Sequence, residues 1–361
     1  MSGLQYIDKF EQYLHKSYDL EQRFALRAHA GRLLPSDRVA NCGQPFRGQV
    51  KIFYSPRYNK LFYSNIQTCS SVWKCPVCSV KIALRRSSEV EEAMQRWPGQ
   101  VVFSTFTLSH TAKDSFSSLL HDMKSSTSYV HSKSKAWSQF KQDFDFYGNY
   151  TSYETTFGYN GFNPHKHGLM FFDQQNPSSL DDMKEALYPI WHRALQRQGR
   201  YCSFERGVHL RHADSTDYLF SAAKEISSLP VKIGGRRSYS PIELLQLSRF
   251  GHLQARRLWL DYAKSSYRRW HLYSTQGLKQ TLGIKDKTDQ EVNNEFRDTA
   301  LPVANIKAKS FAELDHKQRS NILNYGVVSL SELEHLLTDN GLPPDLLTDY
   351  DWFDDVEGMD W

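Results

Sequence analysis

The chain has 361 residues, 40% of them hydrophobic and 24% charged, and its mean hydropathy is −0.61. This length suffices for one large domain or two moderate domains with a real core. No apolar run approaches the length of a membrane span, and the first 24 residues are charged throughout, unlike a signal peptide. We therefore expect a cytoplasmic protein with no membrane partner.

The net charge of +5 conceals an asymmetry between the body of the chain and its end. Residues 345–361 hold seven acidic residues and no basic one, so removing them leaves +12 on residues 1–344. A basic body attracts a phosphate backbone, which indicates a nucleic-acid partner. The acidic end either repels or mimics DNA, or only solubilises the chain.

A cluster of cysteines follows a helix predicted at 4–34. Four of the five cysteines in the chain lie within 37 residues of one another: Cys42, Cys69, Cys75 and Cys78. The last two have the spacing of half a zinc knuckle, and the cytosol disfavours disulfides. The simplest interpretation is a structural zinc ion held by four thiolates. Two alternatives stay open: His29 or His110 replaces one thiolate, or the cysteines are free and buried.

A charged amphipathic helix is predicted after the cysteines, and its Arg85 and Arg86 are available for phosphates. Residues 101–108 are rich in β-branched and aromatic side chains, which predicts a central strand. Alternation along that strand places Thr105 and Thr107 on one face. These threonines either line a site or serve only as β-formers.

Two β-rich runs, 150–157 and 165–172, flank a cluster of Gly, Asn and Pro, a pattern typical of a hairpin with a longer loop. Because strand side chains alternate between faces, His165 and His167 point the same way. Two imidazoles on one face favour a metal site. The alternative is a pair of ordinary surface or hydrogen-bonded histidines.

The turn of this hairpin decides which residue faces the histidines. A turn centred near Asn160 and Gly161 would place Glu154 roughly opposite His167 on the same face. Two imidazoles and one carboxylate would then converge, with positions open for water or substrate. Mixed nitrogen and oxygen ligands suit Mn²⁺ or Mg²⁺ in a phosphate-processing site, although ligand type alone does not rule out zinc.

The order of the predicted elements indicates the fold class. The remaining predicted strands lie at 50–54, 60–63 and 203–212, and the remaining helices at 115–131, 135–144, 180–196, 214–227, 241–249, 251–263 and 331–337. Because two strands meet directly in a hairpin, we expect an α+β fold, an antiparallel sheet with helices on one face. The predicted regions are 1–98 (helical and zinc-binding), 99–284 (sheet domain with basic and aromatic helices) and 285–361 (accessory tail).

The helix predicted at 214–227 carries a candidate nucleophile. Asp214, Tyr218 and Glu225 lie along one helical stripe, and Lys224 adjoins them. A tyrosine flanked by carboxylates beside a divalent metal can attack a phosphate while the carboxylates handle protons.

A basic loop is predicted at Arg236 and Arg237, which follow two glycines. Further on, Arg256, Arg257, Arg268 and Arg269 interleave with aromatic residues. The aromatic residues are Trp259, Tyr262, Tyr267, Trp270 and Tyr273. Such a surface holds single strands of nucleic acid. A helical hairpin with packed aromatic residues and a solvated basic face explains the pattern equally well.

These pieces, in this order, resemble the rolling-circle replication initiators of bacterial plasmids and phages, within the HUH endonuclease superfamily. The resemblance runs from about Cys42 to Ile284. The matching segments are 67–78 (QTCSSVWKCPVC), 103–108 (FSTFTL), 163–167 (NPHKH), 240–245 (SPIELL), 258–262 (LWLDY) and 270–278 (WHLYSTQGL).

The resemblance implies that His165 and His167 hold the metal and that Tyr218 attacks the phosphodiester. Tyr218 would become joined to the 5′ phosphate and leave a 3′ hydroxyl for a host polymerase. Asp214 matches a position that activates water or orients a second cleavage, with Glu225 as the alternative. The implied partners are plasmid or phage origin DNA, in a single-stranded or cruciform region, and the host helicase and replication machinery.

Two residues depart from the family pattern. The residue between the histidines is usually bulky and apolar because it faces the core; here it is Lys166, which we expect to snorkel outward. The tyrosine helix usually has a lysine three residues after the tyrosine, where this chain has Ser221. Lys224 is the candidate substitute for that lysine, and Tyr239 is a distant substitute for Tyr218.

Two other functions fit the same residues. An HUH transposase or mobilisation relaxase would use identical cleavage chemistry. A non-catalytic, zinc-containing DNA-binding regulator would use the cysteines and the basic surface alone.

Overall fold

The computed structural model describes residues 18–55, 60–173, 179–213, 238–266, 272–294, 300–324, 330–342 and 345–346. Of these residues, none lies in a helix that is both long and apolar enough to cross a membrane. The chain divides into two compact units: the first contains residues 79–288, and the second contains residues 17–78 and 289–361.

The strands within the described residues are β1 (Gln49–Ser55), β2 (Lys60–Ser64), β3 (Gln100–Phe106), β4 (Phe146–Gly158), β5 (Gly161–Phe172), β6 (Val208–His212), β7 (Ser238–Tyr239), β8 (Leu272–Ser274), β9 (Leu301–Lys307) and β10 (Asp345–Leu346). The α-helices are α1 (Leu20–Leu33), α2 (Pro76–Arg96), α3 (Phe116–Lys133), α4 (Lys135–Asp143), α5 (Leu180–Gln196), α6 (Phe204–Gly207), α7 (Pro241–Arg249), α8 (Leu253–Ser265), α9 (Leu278–Thr281), α10 (Asp289–Asn294), α11 (Ala308–Glu313), α12 (His316–Asn324) and α13 (Leu330–Asp339). This mixture of helices and antiparallel strands confirms the α+β class.

Most predicted elements appear, with shifted ends. The helix predicted at 4–34 begins at Leu20 within the described residues, where Asp19 and Gln22 form a capping box. The strand predicted at 203–212 is shorter than expected, because the Ser203 side chain accepts a hydrogen bond from the Arg206 amide and starts α6 instead.

The first unit is built on a six-stranded antiparallel sheet in the order β6-β3-β5-β4-β7, with β8 also paired to β4. The predicted central strand β3 lies between β5 and β6. It is buried along most of its length. Its β-branched and aromatic residues suit a strand that packs on both faces.

The β4-β5 hairpin is tighter than the sequence suggested. Gly158 pairs with Gly161, which leaves a two-residue loop, and Gly161 has φ +87°. A Cβ at Gly161 would also lie 2.9 Å from the Thr111 carbonyl oxygen, so this position requires glycine. Because the turn comes earlier than predicted, Glu154 lies opposite His165, and Ser152 lies opposite His167. The prediction that Glu154 lies opposite His167 was therefore wrong: its partner is the previous residue on the same face, His165.

Helices pack on both faces of this sheet, not on one face as predicted. On one face, Trp191 of α5 contacts the ring of Phe106, and Phe140 of α4 contacts Phe172. On the face that carries His167, Val90 and Met94 of α2 join the core cluster. The amphipathic helix α2 buries its apolar side against this second face, which explains the difference.

The second unit contains the other sheet, in the antiparallel order β10-β9-β1-β2. Its core joins Val50 and Ile52 of β1 to Val303 and Ile306 of β9. Leu333 and Leu337 of α13 belong to the same cluster. The described part of 285–361 therefore differs from the accessory tail expected there: from Asp289 onward it shares a unit, a sheet and a core with β1 and β2.

Candidate metal centres

The four predicted cysteines come together in the second unit. The Sγ atom of Cys42 lies 3.7 Å from those of Cys75 and Cys78, and the Sγ atoms of Cys69 and Cys78 are 3.8 Å apart. A tetrahedron with Zn–S bonds of about 2.3 Å has edges of about 3.8 Å. All four side chains are 5% exposed or less. This buried cluster could hold zinc with four thiolates.

Local structure fixes each cysteine. Cys42 follows a 3₁₀ helix, and Cys78 lies in the first turn of α2, where its amide donates to the Cys75 Sγ atom at 3.4 Å. His29 and His110 are not members of this cluster, so the interpretation with a histidine ligand was wrong. All five cysteines are buried and free of disulfides.

Positive charge lies beside the sulfur atoms. The buried Arg27 side chain packs against Gly43, where a Cβ would come within 2.2 Å of the guanidinium. Hydrogen bonds, led by that from Cys69, lower the pKa of the Cys42 thiol, and the Arg27 charge lowers it further. A cation at this position offsets the negative charge that four thiolates would bring. On another helix of the unit, Arg319 donates to the Gly43 carbonyl oxygen at 3.3 Å.

The second donor cluster lies on the large sheet and contains Glu154, His165 and His167. Their nearest ligand atoms all lie within 4.8 Å of one another. The His167 Nε2 atom is 3.0 Å from the Glu154 Oε2 atom. Glu154 and His167 are 8% and 4% exposed, whereas His165 is half-buried. The cluster is therefore anchored on a buried side and open at His165.

Strand register explains this convergence. Glu154 lies opposite His165 on the neighbouring strand and reaches His167 diagonally, since a long side chain spans the next pair on one face. Thr105 lies opposite His167 on the other side, and its Oγ1 atom is 3.1 Å from the His167 Nδ1 atom. With a cation between Nε2 and Glu154, this contact would suit a His167 that donates its Nδ1 proton to the Thr105 hydroxyl. Without a cation, a proton on Nε2 would instead bond to the Glu154 carboxylate.

His165 also lines a cavity of about 560 Å³. That volume falls within the usual range of small-molecule sites. His110, Tyr201, Arg206 and His209 line it as well. The described residues around this cavity include no acidic side chain. The cavity wall therefore adds no negative charge beside His165, although the Glu154 carboxylate lies within 4.8 Å of that imidazole.

Lys166 lies beneath the sheet instead of snorkelling outward as predicted. It is 6% exposed, and its amine is 5.2 Å from the centre of the Phe106 ring. It lines a small cavity of about 20 Å³, together with apolar residues such as Met170 and Trp191. Burial lowers the pKa of its amine to about 8. Flanking helices close this face of the sheet, which leaves the lysine no route to solvent.

The predicted nucleic-acid contacts have mixed outcomes. Arg86 is 3% exposed and forms an ion pair with Glu89 at 2.5 Å, so it is not available for phosphates as expected. Arg85, on the same helix, is half-buried. Arg256 and Arg257 are exposed on α8.

The aromatic residues interleaved with these arginines belong partly to the core. Trp259 and Tyr262 are each 1% exposed, so the prediction of an aromatic surface was wrong for them and the packed helical hairpin applies. Tyr239 pairs with Phe157 and shares the face opposite the histidines. That position removes it as a substitute nucleophile.

Several candidate residues lie outside the described part of the chain. They are Asp214, Tyr218, Lys224, Glu225, Arg236, Arg237, Tyr267, Arg268, Arg269 and Trp270, and the whole helix predicted at 214–227 lies there as well.

Sequence reasoning missed the cavity residues Tyr201, Arg206 and His209. A usable signal existed for His209. It lies in a predicted strand and alternates with Arg211, which places two basic side chains on one face.

Comparisons with known proteins provide little more. No family model matches the chain, and no solved structure matches it. A curated neomycin resistance protein from Streptomyces cyanogenus is 42% identical over 55 residues. The match covers 14% of this chain and 13% of that protein. A similarity spanning about an eighth of the relative defines neither a family nor a shared activity.

Proposed function

We propose that the protein is a metal-dependent DNA endonuclease and strand transferase that nicks origin DNA to initiate rolling-circle replication. The observation that carries the proposal is the convergence of Glu154, His165 and His167 on one face of an antiparallel sheet, with a cavity beside His165. The motif resemblance supports the same chemistry, and the basic body of the chain supports a nucleic-acid substrate.

The donor set fits a divalent cation. Two imidazole nitrogens and one carboxylate oxygen within 4.8 Å of one another can share one ion, and mixed nitrogen and oxygen donors suit Mn²⁺ or Mg²⁺. When bound, such a cation supplies Lewis-acid polarisation of the scissile phosphate. Thr105 orients His167 through its Nδ1 atom, and the burial of Glu154 and His167 keeps their donor atoms in place.

In the proposed reaction, the Tyr218 phenol is the nucleophile. Its oxygen forms a bond to phosphorus while the bond from phosphorus to the 3′ oxygen breaks. The phenolic proton passes to a carboxylate, Asp214 or Glu225, and the leaving 3′ oxygen takes up a proton and becomes a hydroxyl. The products are a 5′-phosphotyrosine link and a free 3′ end that can prime synthesis. Lys224 would offset the negative charge of the phosphate.

The rest of the chain would hold the DNA. Arg256 and Arg257 are exposed and can contact phosphates, while the four-cysteine cluster would stabilise its own unit with zinc. In this proposal the partners are a single-stranded or cruciform origin region and the host helicase and replication machinery.

A covalent adduct tests the proposal. The protein is incubated with Mn²⁺ and a randomised library of single-stranded DNA that carries a fluorophore at the 3′ end. We expect a labelled protein band on a denaturing gel and a nucleotide attached to Tyr218 by mass spectrometry. Tyr218→Phe should abolish the band. Tyr159→Phe, which alters an exposed tyrosine at the hairpin turn, is the matched control and should retain it.

The outcomes separate the nickase from its competitor. A labelled band that survives Tyr218→Phe would move the nucleophile elsewhere. DNA binding without any adduct, in protein that retains Mn²⁺, would favour the non-catalytic regulator. That competitor has one observation of its own, since the cysteine cluster is complete without the histidine site.

A further inference from the structure

We propose that the cavity beside His165 is a subsite for one unpaired nucleotide, in which Arg206 and His209 receive a phosphate and Tyr201 stacks on the base. The proposal rests on the proposed function, because it places this nucleotide next to the scissile phosphate. It assigns a role to residues outside the resemblance and outside the metal site.

Strand register places His209 beside the donor cluster. His167, Thr105 and His209 occupy one row across β5, β3 and β6, so all three side chains leave the same face of the sheet. His209 is exposed, and it lines the same cavity as His165. A group bound between these two imidazoles would therefore lie next to the metal site.

The charge of the cavity wall suits a phosphate. Arg206 lines the cavity, and the described lining residues carry no carboxylate. The backbone of Arg206 is fixed, since its amide donates to Ser203 Oγ at 3.3 Å and its carbonyl accepts from Thr107 Oγ1 at 2.7 Å, and its side chain is exposed. A guanidinium and imidazoles around an acid-free cavity are a usual setting for phosphate recognition.

Tyr201 supplies an aromatic surface at the edge of the cavity. Its side chain is 66% exposed, yet two hydrogen bonds with Ser109 fix its backbone. The Tyr201 amide donates to the Ser109 Oγ atom, and the Ser109 amide donates to the Tyr201 carbonyl oxygen. The preceding Arg200 is held by Asp114 at 2.8 Å and by Asp122 at 2.9 Å. An exposed ring on a fixed backbone provides a stacking platform for a base.

The size of the cavity favours a single nucleotide over a duplex. At about 560 Å³ it matches a small-molecule site, and a base must leave its pair before it can stack on Tyr201. The subsite therefore selects single-stranded DNA on the cavity side of the scissile phosphate.

Fluorescence anisotropy with fluorescein-labelled oligothymidylate tests the subsite in buffer without added divalent metal, where cleavage does not occur. Tyr201→Ala should weaken binding by about 5- to 100-fold, as expected for loss of one stacked base. Tyr201→Phe should bind like the wild type. Arg206→Ala should weaken binding and reduce its dependence on salt, whereas His209→Ala should weaken binding.

Tyr159→Ala is the matched control, since this tyrosine is 71% exposed but does not line the cavity. Equal binding by the wild type and Tyr201→Ala would overturn the subsite, even if the protein nicks DNA. Weakened binding by Tyr201→Ala and not by Tyr159→Ala would support it, even if no nicking is found. The subsite would also be overturned if Tyr201→Ala weakened the binding of a duplex probe as much as the binding of the single strand.

Discussion

The two donor clusters of this protein differ in how completely they are enclosed. The four cysteines are all buried and stand at the spacing of a closed tetrahedron. The Glu154 cluster offers three donors, and its His165 faces a cavity. Four protein ligands leave no coordination position for a substrate, whereas three protein ligands leave at least one. Structural and catalytic metal sites usually differ in this way. From this comparison we propose a stabilising role for the first cluster and a catalytic role for the second.

Cys75→Ser should have the largest effect. Cys75 is 1% exposed, and its loss leaves three thiols without a closed coordination shell. Structural zinc contributes about 10–16 kcal/mol in isolated zinc-finger peptides, so we expect this variant to lose zinc and to unfold the second unit. Zinc per chain by elemental analysis and limited proteolysis measure both. Cys202→Ala, at a buried cysteine outside the cluster, should keep its zinc. Full zinc content in Cys75→Ser would contradict a structural role.

His167→Ala should separate the two clusters. Removal of a direct ligand should weaken Mn²⁺ binding by more than the 10- to 100-fold typical of outer contacts, while zinc content changes little. Calorimetric titration with Mn²⁺ measures the affinity. His121→Ala, on the exposed side of α3, serves as the control. Unchanged Mn²⁺ affinity in His167→Ala would remove this cluster as a metal site.

Thr105→Val probes the orientation of His167 at nearly constant volume. The hydroxyl that meets the His167 Nδ1 atom is lost, so we expect Mn²⁺ affinity to fall by about 10- to 100-fold. Thr105→Ser keeps the hydroxyl and should restore most of the affinity. Thr155→Val, on the opposite face of the sheet, should have no effect. Wild-type affinity in Thr105→Val would mean that the hydroxyl does not position the ring.

Lys166→Met tests whether the buried lysine between the two histidines destabilises the fold. The lysine amine is buried, and its pKa is lowered from 10.5 to about 8, which corresponds to a cost of at most about 3 kcal/mol near neutral pH. Methionine keeps the length of the side chain and removes that cost. Urea unfolding should show higher stability, while Lys141→Met, at an exposed position, should show no change. A less stable Lys166→Met protein would show that the amine makes a favourable contact.

Asp114→Asn should have the smallest effect, and one that depends on pH. The hydrogen bond from Arg200 lowers the pKa of the Asp114 carboxyl from 3.8 to about 2. Because the folded protein holds the ionised form more tightly, this stability is present above pH 3.8 and lost as the pH falls through about 2. The variant should lose at most about 2 kcal/mol at pH 7.

Urea unfolding at neutral and acidic pH measures this difference. The difference in unfolding free energy between the wild type and Asp114→Asn should disappear near pH 2. Asp143→Asn, at an exposed position, should have the unfolding free energy of the wild type at both pH values. A difference in unfolding free energy that stays constant with pH would mean that the ion pair between Asp114 and Arg200 does not stabilise the fold.

The sequence predicted the two clusters unequally. The spacing of Cys75 and Cys78 indicated a zinc site, and the two other cysteines within 37 residues completed the most direct ligand set, although spacing left a histidine ligand open. Strand alternation correctly placed His165 and His167 on one face. The register failed because the turn begins one residue earlier than the Asn160-Gly161 pair suggested, and a shift of one turn residue moves every facing pair.

Contacts between residues far apart in the chain could not be predicted from the local sequence pattern. Pairing of β1 with β9 joins segments from opposite ends of the chain, and no local signal near Val303 identifies its partner strand. The burial of Lys166 depends on helices that cover the sheet, so composition favoured snorkelling where packing prevents it.

The most direct test removes metal from the two clusters selectively. The protein is dialysed against EDTA, analysed for zinc, and then supplied with Mn²⁺ in the presence of single-stranded DNA. We predict that one zinc ion per chain survives dialysis, that strand cleavage is lost, and that Mn²⁺ restores it in the wild type but not in His165→Ala. Cleavage that persists without exchangeable metal, or that Mn²⁺ restores equally in His165→Ala, would contradict the assignment of chemistry to the Glu154 cluster.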